Sequence, residues 1–427
     1  MSEYDVIIIG AGIIGLSTAY YIKKKNPKDR VLVIDKLNAA GQANTAKSAS
    51  AFRCLFSSQT NYILTDSSVE FYRHLNDDLS LDLGLLWIGY LWLLDEESYK
   101  ESVSILKGLG RNISYRVYES DELAEKLHMR TIFKNDEEAE LMGLKDVCKG
   151  VFIPKAGVID ADSLVNFYEE SFLRLGGEIR YGVNVEKLLV EPYEPLGIPG
   201  EPYFWQDSRV AGVKTDKGVI KAKKTVLAAG VWISQLLDAL GIECYIKPKK
   251  RQLFVINADT PDLKKLLASK GFNNVGCIPF TILPKPDVYI RPFPDQGVFW
   301  AGYADEFPRA FKLEENPQPE KNFYQYGIYQ VLVKYFPQFK DRRPSSAFAG
   351  LYGINTLDGQ PVIFEEKDLI VVGGASGSGV MKADSMGRIA AALYNGEEYA
   401  VLYGDKKFKV SDLGLKNRRV EREKLII

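Results

Sequence analysis

The chain has 427 residues, with 55 Lys and Arg against 56 Asp and Glu and 46% apolar residues, a length that suits two domains better than one core. Near-zero net charge excludes an electrostatic pull toward nucleic acid, and four scattered cysteines, Cys54, Cys148, Cys244 and Cys277, contain no CxxC pair, so buried or inert thiols and no metal site are expected. No apolar run reaches ~18 residues and the first residues lack the zones of a signal peptide, which predicts a soluble cytoplasmic protein, with a peripheral place on the inner face of the membrane left open.

From Tyr4 to Ile9 the run YDVIII is continuously apolar and β-branched, as a parallel strand covered on both faces requires. Helical spacing of apolar residues follows from Ile13 to about Lys25 and stops at Asn26-Pro27, and the next strand, VLVID, ends at Asp35. Between the first strand and helix, Gly10, Gly12 and Gly15 form GxGxxG. In that context backbone N–H groups and a helix N-terminus can face a pyrophosphate, while a carboxylate at Asp35 can accept from an adenosine ribose. The competing reading is a bare structural turn.

Residues from about Asp82 to Gly150 alternate aromatic segments such as GLLWIGYLWLL with charged helical ones such as ESDELAEKL. The first of these is apolar enough for a partner interface, although buried core explains it better. VIDADSLVNFYEESFLRLGGEI then predicts a helix capped by Asp160 or Asp162 and ended by Gly176-Gly177. A hairpin, VAGVKTDKGVIKA, leads into the strand TVLAAG at Thr225 to Gly230. Prolines and alternating runs such as RQLFVIN and VYIRPF between about Glu243 and Phe348 suit an antiparallel sheet. Near the end, DLIVVGGASGSGVMKADSMGRIAAAL repeats strand, glycine turn and helix, so that a helix N-terminus can stabilise negative charge; a linker is the alternative. The terminal KNRRVEREKLII is expected to be a solvated tail or short helix, and His74 and His128 to be surface residues.

GxGxxG with Asp35, TVLAAGVW, GLYGINTLDGQPVI (Gly350 to Ile363) and GGASGSGVMK occur in the order found in the D-amino-acid oxidase superfamily, and the chain resembles its sarcosine oxidase and dye-linked L-proline dehydrogenase branch over nearly its whole length. The resemblance implies an α/β (α+β overall) fold, a Rossmann-like FAD/NAD(P)-binding domain (1–82, 151–242 and 345–427) interleaved with an antiparallel-sheet substrate domain (83–150 and 243–344). It implies FAD held by Gly10, Gly12, Ile14, Gly15, Asp35, Lys36, Ser48, Ala49, Val185, Ala229, Gly230, Trp232, Gly377, Gly379, Val380 and Met381. In the oxidase branch an arginine and a lysine bind the substrate carboxylate; their counterparts here are Arg53, in FRCLFSSQTNY, and Lys382. An Arg fork matches a carboxylate bidentately and a Lys adds a point charge, although Arg53 in a surface ion pair is the plain alternative.

Two departures from the family pattern carry information. Tyr289 stands where the oxidase has the lysine that promotes reaction with oxygen, which implies a dehydrogenase passing electrons to a quinone or an electron-transfer protein. Neither the flavin-tethering cysteine near Gly350-Leu351-Tyr352 nor a histidine near the first motif is present, which implies non-covalent FAD. Tyr289 and Arg291 shape the substrate pocket or are sheet-surface residues. The expected reaction is hydride transfer from a small amino or imino acid, L-proline first. The alternatives are a 2-hydroxy-acid or glycerol-3-phosphate dehydrogenase, a NAD enzyme, and a flavin-carrying subunit of a larger electron-transfer complex.

Overall fold

A computed structural model describes residues 4–108, 113–306 and 309–424. Its two large sheets have different characters, and sequence pattern explains each. In the first, the parallel strands Leu369–Gly373, Gly218–Leu227, Tyr4–Ile9, Val31–Ile34 and Glu178–Arg180 lie side by side in that order, with Val362–Glu366 antiparallel at one edge. Val6 and Ile8 pack into the core on one face while Ile7 and Ile9 pack on the other. Burial on both faces is why these strands read as unbroken apolar runs rather than alternating ones.

The helices Ile13–Lys25, Gln59–Arg73, Ala161–Arg174 and Ala383–Tyr394 cover one face through residues such as Leu16, Leu64, Leu164 and Ile389. Asp160 caps the third of them by accepting from the Asp162 N–H, leaving Asp162 in the first turn. The three strands followed by glycine turns in the sequence are adjacent and parallel, so all three turns emerge at one edge, where open α/β sheets bind ligands.

The second sheet runs Ser346–Asn355, Ile246–Asn257, Val298–Gly302, Tyr289–Phe293, Phe280–Ile282, Tyr90–Leu94, Lys149–Ile153, Arg116–Glu119. Its pairings are antiparallel except that of Phe280–Ile282 with Tyr90–Leu94, which is parallel. Side chains alternate: Leu91, Phe254 and Ile290 enter a core beneath the helical segment Tyr324–Tyr335, while Tyr90, Leu253 and Tyr289 turn to the opposite face. The GLLWIGYLWLL stretch is therefore interior: Leu85, Ile88, Tyr90, Leu91, Leu93 and Leu94 are buried.

Ser346–Asn355 lies against Ile246–Asn257, and Lys149–Ile153 against Tyr90–Leu94, both within the second sheet. One sequence expectation is corrected by the structure: the C-terminal segment is not a solvated tail. Arg418 forks onto Asp358 at 2.6 and 2.7 Å, Glu421 takes the Thr60 hydroxyl at 3.1 Å, and Glu423 is 5% exposed. The charged residues that made it look solvated are the groups that fasten it. Leu425, Ile426 and Ile427 lie outside the described residues.

Candidate active site

A cavity of 490 Å³ opens along the edge where the glycine turns emerge. Gly10, Gly12, Ile14, Asp35, Lys36, Ser48, Val185, Ala229, Gly230, Trp232, Gly377, Gly379 and Val380 line it. Its walls near the first turn are largely backbone. Gly10 sits at φ +109°, and a Cβ at Gly15 would lie 1.9 Å from the Gly10 carbonyl oxygen. Gly15 thus lets helix and strand close up and stands behind the cavity wall rather than in it. Asp35 is oriented by the Ala11 N–H at 2.7 Å and the Leu37 N–H at 2.8 Å, which leaves lone pairs for a ribose.

Three contributors carry no local sequence signal. Glu315, from the loop after Val298–Gly302, accepts from Trp232 Nε1 at 2.7 Å and pairs with Lys36, whose ammonium lies 4.0 Å from the centre of the Trp232 ring. Thr45 Oγ1 accepts from the first N–H of the opening helix at 3.3 Å. Asn44 Oδ1 accepts from Leu351 N at 2.8 Å, tying the long loop before Ala51 to the second sheet.

A second cavity, 60 Å³, adjoins the first and shares Ser48, Tyr352, Ser376 and Gly377 with it. A Cβ at Gly377 would lie 2.4 Å from the Tyr352 ring; only glycine lets that ring lie over the turn. Ala49, Arg53, Phe56, Tyr90, Phe280, Tyr289, Met381 and Glu423 complete the walls. Ala49 and Met381 thus face this smaller space. Tyr90 stacks on Phe280 at 4.2 Å, and Phe280 on Tyr289 at 5.2 Å, forming one aromatic wall. Burial raises the hydroxyls of Tyr90, Tyr289 and Tyr352 above the ordinary phenol range, so all three stay protonated.

Arg53 ends the short strand Ala51–Arg53 and is buried, which removes the surface ion-pair alternative. One arm of its guanidinium donates to the Leu55 carbonyl at 2.9 Å, and its carbon lies 4.6 Å from the centre of the Phe56 ring. Burial lowers its pKa. Lys382 is placed differently. It is fully buried, its ammonium has no hydrogen-bond partner among the described residues, and it sits 5.1 Å from the centre of the same Phe56 ring, behind the cavity wall. Desolvation lowers it to about 7, with the Glu423 charge opposing that shift and Arg53 adding to it. Arg291 lies outside both cavities and donates to the carbonyl of Ala49.

Cys54, Cys244 and Cys277 are buried, and burial raises the thiols of Cys54 and Cys277 to about 12 and 11. His128 is exposed and His74 pairs with Asp78 at the surface. Among the described residues no cluster of His, Cys, Asp and Glu could hold a metal ion, and no helix is long and apolar enough to cross a membrane.

A backbone-lined dinucleotide cavity joined to a small aromatic one with a buried guanidinium defines a flavoprotein oxidoreductase site. The match of residues 5–393 to the family model "FAD dependent oxidoreductase" makes the chain a member of that family. It is 23% identical over 424 residues to FAD-dependent oxidoreductase domain-containing protein 1 of Xenopus laevis, covering 91% of this chain and 78% of the relative. It is 26% identical over 254 residues to sarcosine oxidase subunit beta of Rhizobium meliloti, covering 59% of this chain and 56% of that one. The crystal structure of L-proline dehydrogenase from P. horikoshii shares the fold, with a TM-score of 0.72, 20% identity and 97% of each chain covered.

The cavity fits FAD on three counts: the backbone turn and helix N-terminus suit a pyrophosphate, Asp35 suits a ribose, and the late glycine turn leaves room beside Tyr352 for a flat ring.

Proposed function

We propose that this enzyme is an FAD-dependent amino-acid dehydrogenase that oxidises the C–N bond of a small amino or imino acid, L-proline or a sarcosine-like compound, with electrons leaving to a quinone or an electron-transfer protein. The observation that carries the proposal is the buried guanidinium of Arg53 in the wall of a 60 Å³ aromatic cavity that shares four lining residues with the dinucleotide cavity. A carboxylate entering there meets a fork-shaped cation whose hydration has already been removed. Tyr90, Phe280 and Tyr289 exclude water and limit the substrate to a small one. Bound FAD supplies the hydride acceptor, so the chain's task is to hold the substrate's α-carbon in line.

None of the residues lining the smaller cavity is a histidine, lysine, cysteine or aspartate, and its glutamate, Glu423, already accepts five hydrogen bonds, which supports a substrate amine that reacts in its neutral form without a strong protein base. Tyr289 in place of a lysine supports a dehydrogenase over an oxidase. The absence of cysteine and histidine from the residues lining both cavities supports non-covalent FAD. The two sheets support a division into a cofactor domain and a substrate domain, with Ser346–Asn355 assigned to the latter.

Anaerobic bleaching of the flavin band near ~450 nm by L-proline, D-proline, sarcosine, other amino acids and 2-hydroxy acids tests this reading, the cofactor reporting its own reduction. Bleaching by an amino acid followed by slow recovery in air is expected. Bleaching by hydroxy acids alone would overturn the amine reading, and rapid reoxidation would make the enzyme an oxidase.

A further inference from the structure

Among the described residues Glu423 is the one carboxylate in the wall of the smaller cavity, and it comes from the far end of the chain. The segment that carries it is held at several points. Arg418 forks onto Asp358 and also donates to the carbonyls of Leu413 and Pro361, the Glu423 N–H donates to the Asp358 carbonyl at 2.8 Å, and Gln360 Nε2 donates to the Glu421 carbonyl at 2.9 Å.

The carboxylate itself receives Ser57 N at 2.9 Å and Ser57 Oγ at 2.7 Å on one oxygen. The other receives Ser58 N at 3.2 Å, Ser58 Oγ at 2.7 Å and Asn61 Nδ2 at 3.0 Å. Burial opposes its ionisation, but these hydrogen bonds prevail and hold it at about 2. It is an anion at every working pH, and with this many donors in place it is not poised to take a proton from a substrate. Bracing the two serines that precede the helix Gln59–Arg73 accounts for the hydrogen bonds; it does not account for a negative charge in the wall of the cavity that contains Arg53.

We infer that Glu423 is a specificity-determining residue: resting on the reading of Arg53 as the carboxylate anchor, its fixed charge restricts the enzyme to substrates with a single carboxylate. Arg53 attracts carboxylates into this region. Without a counter-charge a second carboxylate on the substrate would be favoured there, and Glu423 cancels that preference. Because Glu423 lines the same small cavity as Arg53, a second substrate carboxylate turned toward it meets a like charge at close range. At the effective dielectric of a buried site such a pair repels strongly enough to weaken binding by about a hundredfold. The substrate class is thereby narrowed to monocarboxylic amino or imino acids, with aminodicarboxylates and iminodiacetate excluded.

The test uses the FAD-loaded enzyme and the change in flavin absorbance on titration with three flat ligands: furan-2-carboxylate, furan-2,5-dicarboxylate and 5-carbamoylfuran-2-carboxylate. The last has the shape of the diacid without its second charge. In the unaltered enzyme the diacid should bind at least ~30-fold more weakly than the carboxamide; equal binding would overturn the inference with no variant needed. Glu423→Gln should close that gap to within ~3-fold. Glu421→Gln, which loosens the same segment outside the cavity, should keep the gap.

A gap unchanged in Glu423→Gln, or closed equally in Glu421→Gln, would show that the segment acts as a wall and not as a charge. Furan-2-carboxylate that binds the enzyme and Arg53→Ala equally well would instead remove the anchoring reading, and this inference with it.

Discussion

The two cavities share four residues and are built in opposite ways. The dinucleotide cavity is a backbone object: its floor is the edge of three adjacent parallel strands, and the glycines between strand and helix work by having no side chain. The smaller cavity is a side-chain object, assembled from Arg53, Phe56, Tyr90, Phe280, Tyr289, Tyr352 and Glu423, residues spread from one end of the chain to the other. A backbone site is encoded locally and is damaged by adding atoms. A side-chain site is encoded by tertiary contact and is damaged by removing them.

The largest effect should come from adding atoms on the cofactor side. Gly15→Val places a Cβ where the Gly10 carbonyl stands. Displacing a turn that donates to a pyrophosphate forfeits charge-assisted hydrogen bonds worth ~3 kcal/mol or more, so FAD affinity should fall at least ~100-fold in a fluorescence titration. A variant that purifies yellow with full flavin content would break the comparison.

Next, removing atoms on the substrate side should spare the cofactor. Arg53→Ala should raise KM for the amino acid by about 30-fold or more, the lower end of what losing the partner of a desolvated charge costs, with the flavin still bound. Steady-state kinetics beside the absorbance ratio of protein to flavin checks both halves.

Lys382 gives a smaller effect with a definite pH dependence. Its folded-state value is about 7 against an ordinary 10.5, so between those values the unfolded chain holds more protons, and stability should rise with pH across that window by a few kcal/mol from this group. Below pH 7 the lysine is charged in both states and its burial is a full penalty. Lys382→Met, which removes a buried cation with no hydrogen-bond partner among the described residues, should therefore melt above the unaltered enzyme at pH 6.5, by ~1–4 kcal/mol of stability, and the gap should narrow by pH 9.5. A gap independent of pH would mean that this lysine is not neutralised by burial.

The smallest effect is expected at Glu421, whose carboxylate takes the Thr60 hydroxyl at 3.1 Å. Glu421→Gln should cost ~0.5–1.5 kcal/mol, read as faster amide exchange in residues 418–424 with the rest of the chain unchanged.

Much of the first region was legible before any coordinates. Tyr4–Ile9 and Ile13–Lys25 form with the bounds their apolar pattern predicts, and Asp35 lies at the end of the second strand because a carboxylate there is fixed by a neighbouring turn. In the second region the residue types were legible and their arrangement was not. Lys382 follows the glycine turn as the resemblance implies, yet Met381 faces the cavity and the lysine lies behind it. Both lie in the 3₁₀ turn Val380–Lys382, where a difference of one position turns a side chain by about 120°, and nothing in the local sequence reports which of the two faces inward. The segment carrying Glu423 looked solvated because Arg418, Glu421 and Glu423 are charged; their partners Asp358, Thr60 and Ser58 are far away in sequence.

The sequence by itself therefore determined the class of fold, the cofactor edge and the family, because apolar period, glycine at a turn and a capping residue act on neighbours within one strand or helix. Only the tertiary structure decided which side chains meet over that edge: that Glu315 joins Lys36 and Trp232, that Tyr352 lies on Gly377, and that the end of the chain brings a carboxylate to the cavity containing Arg53. Those meetings depend on strand register and loop path, which are set by the packing of the whole core, and no short stretch of sequence contains that information.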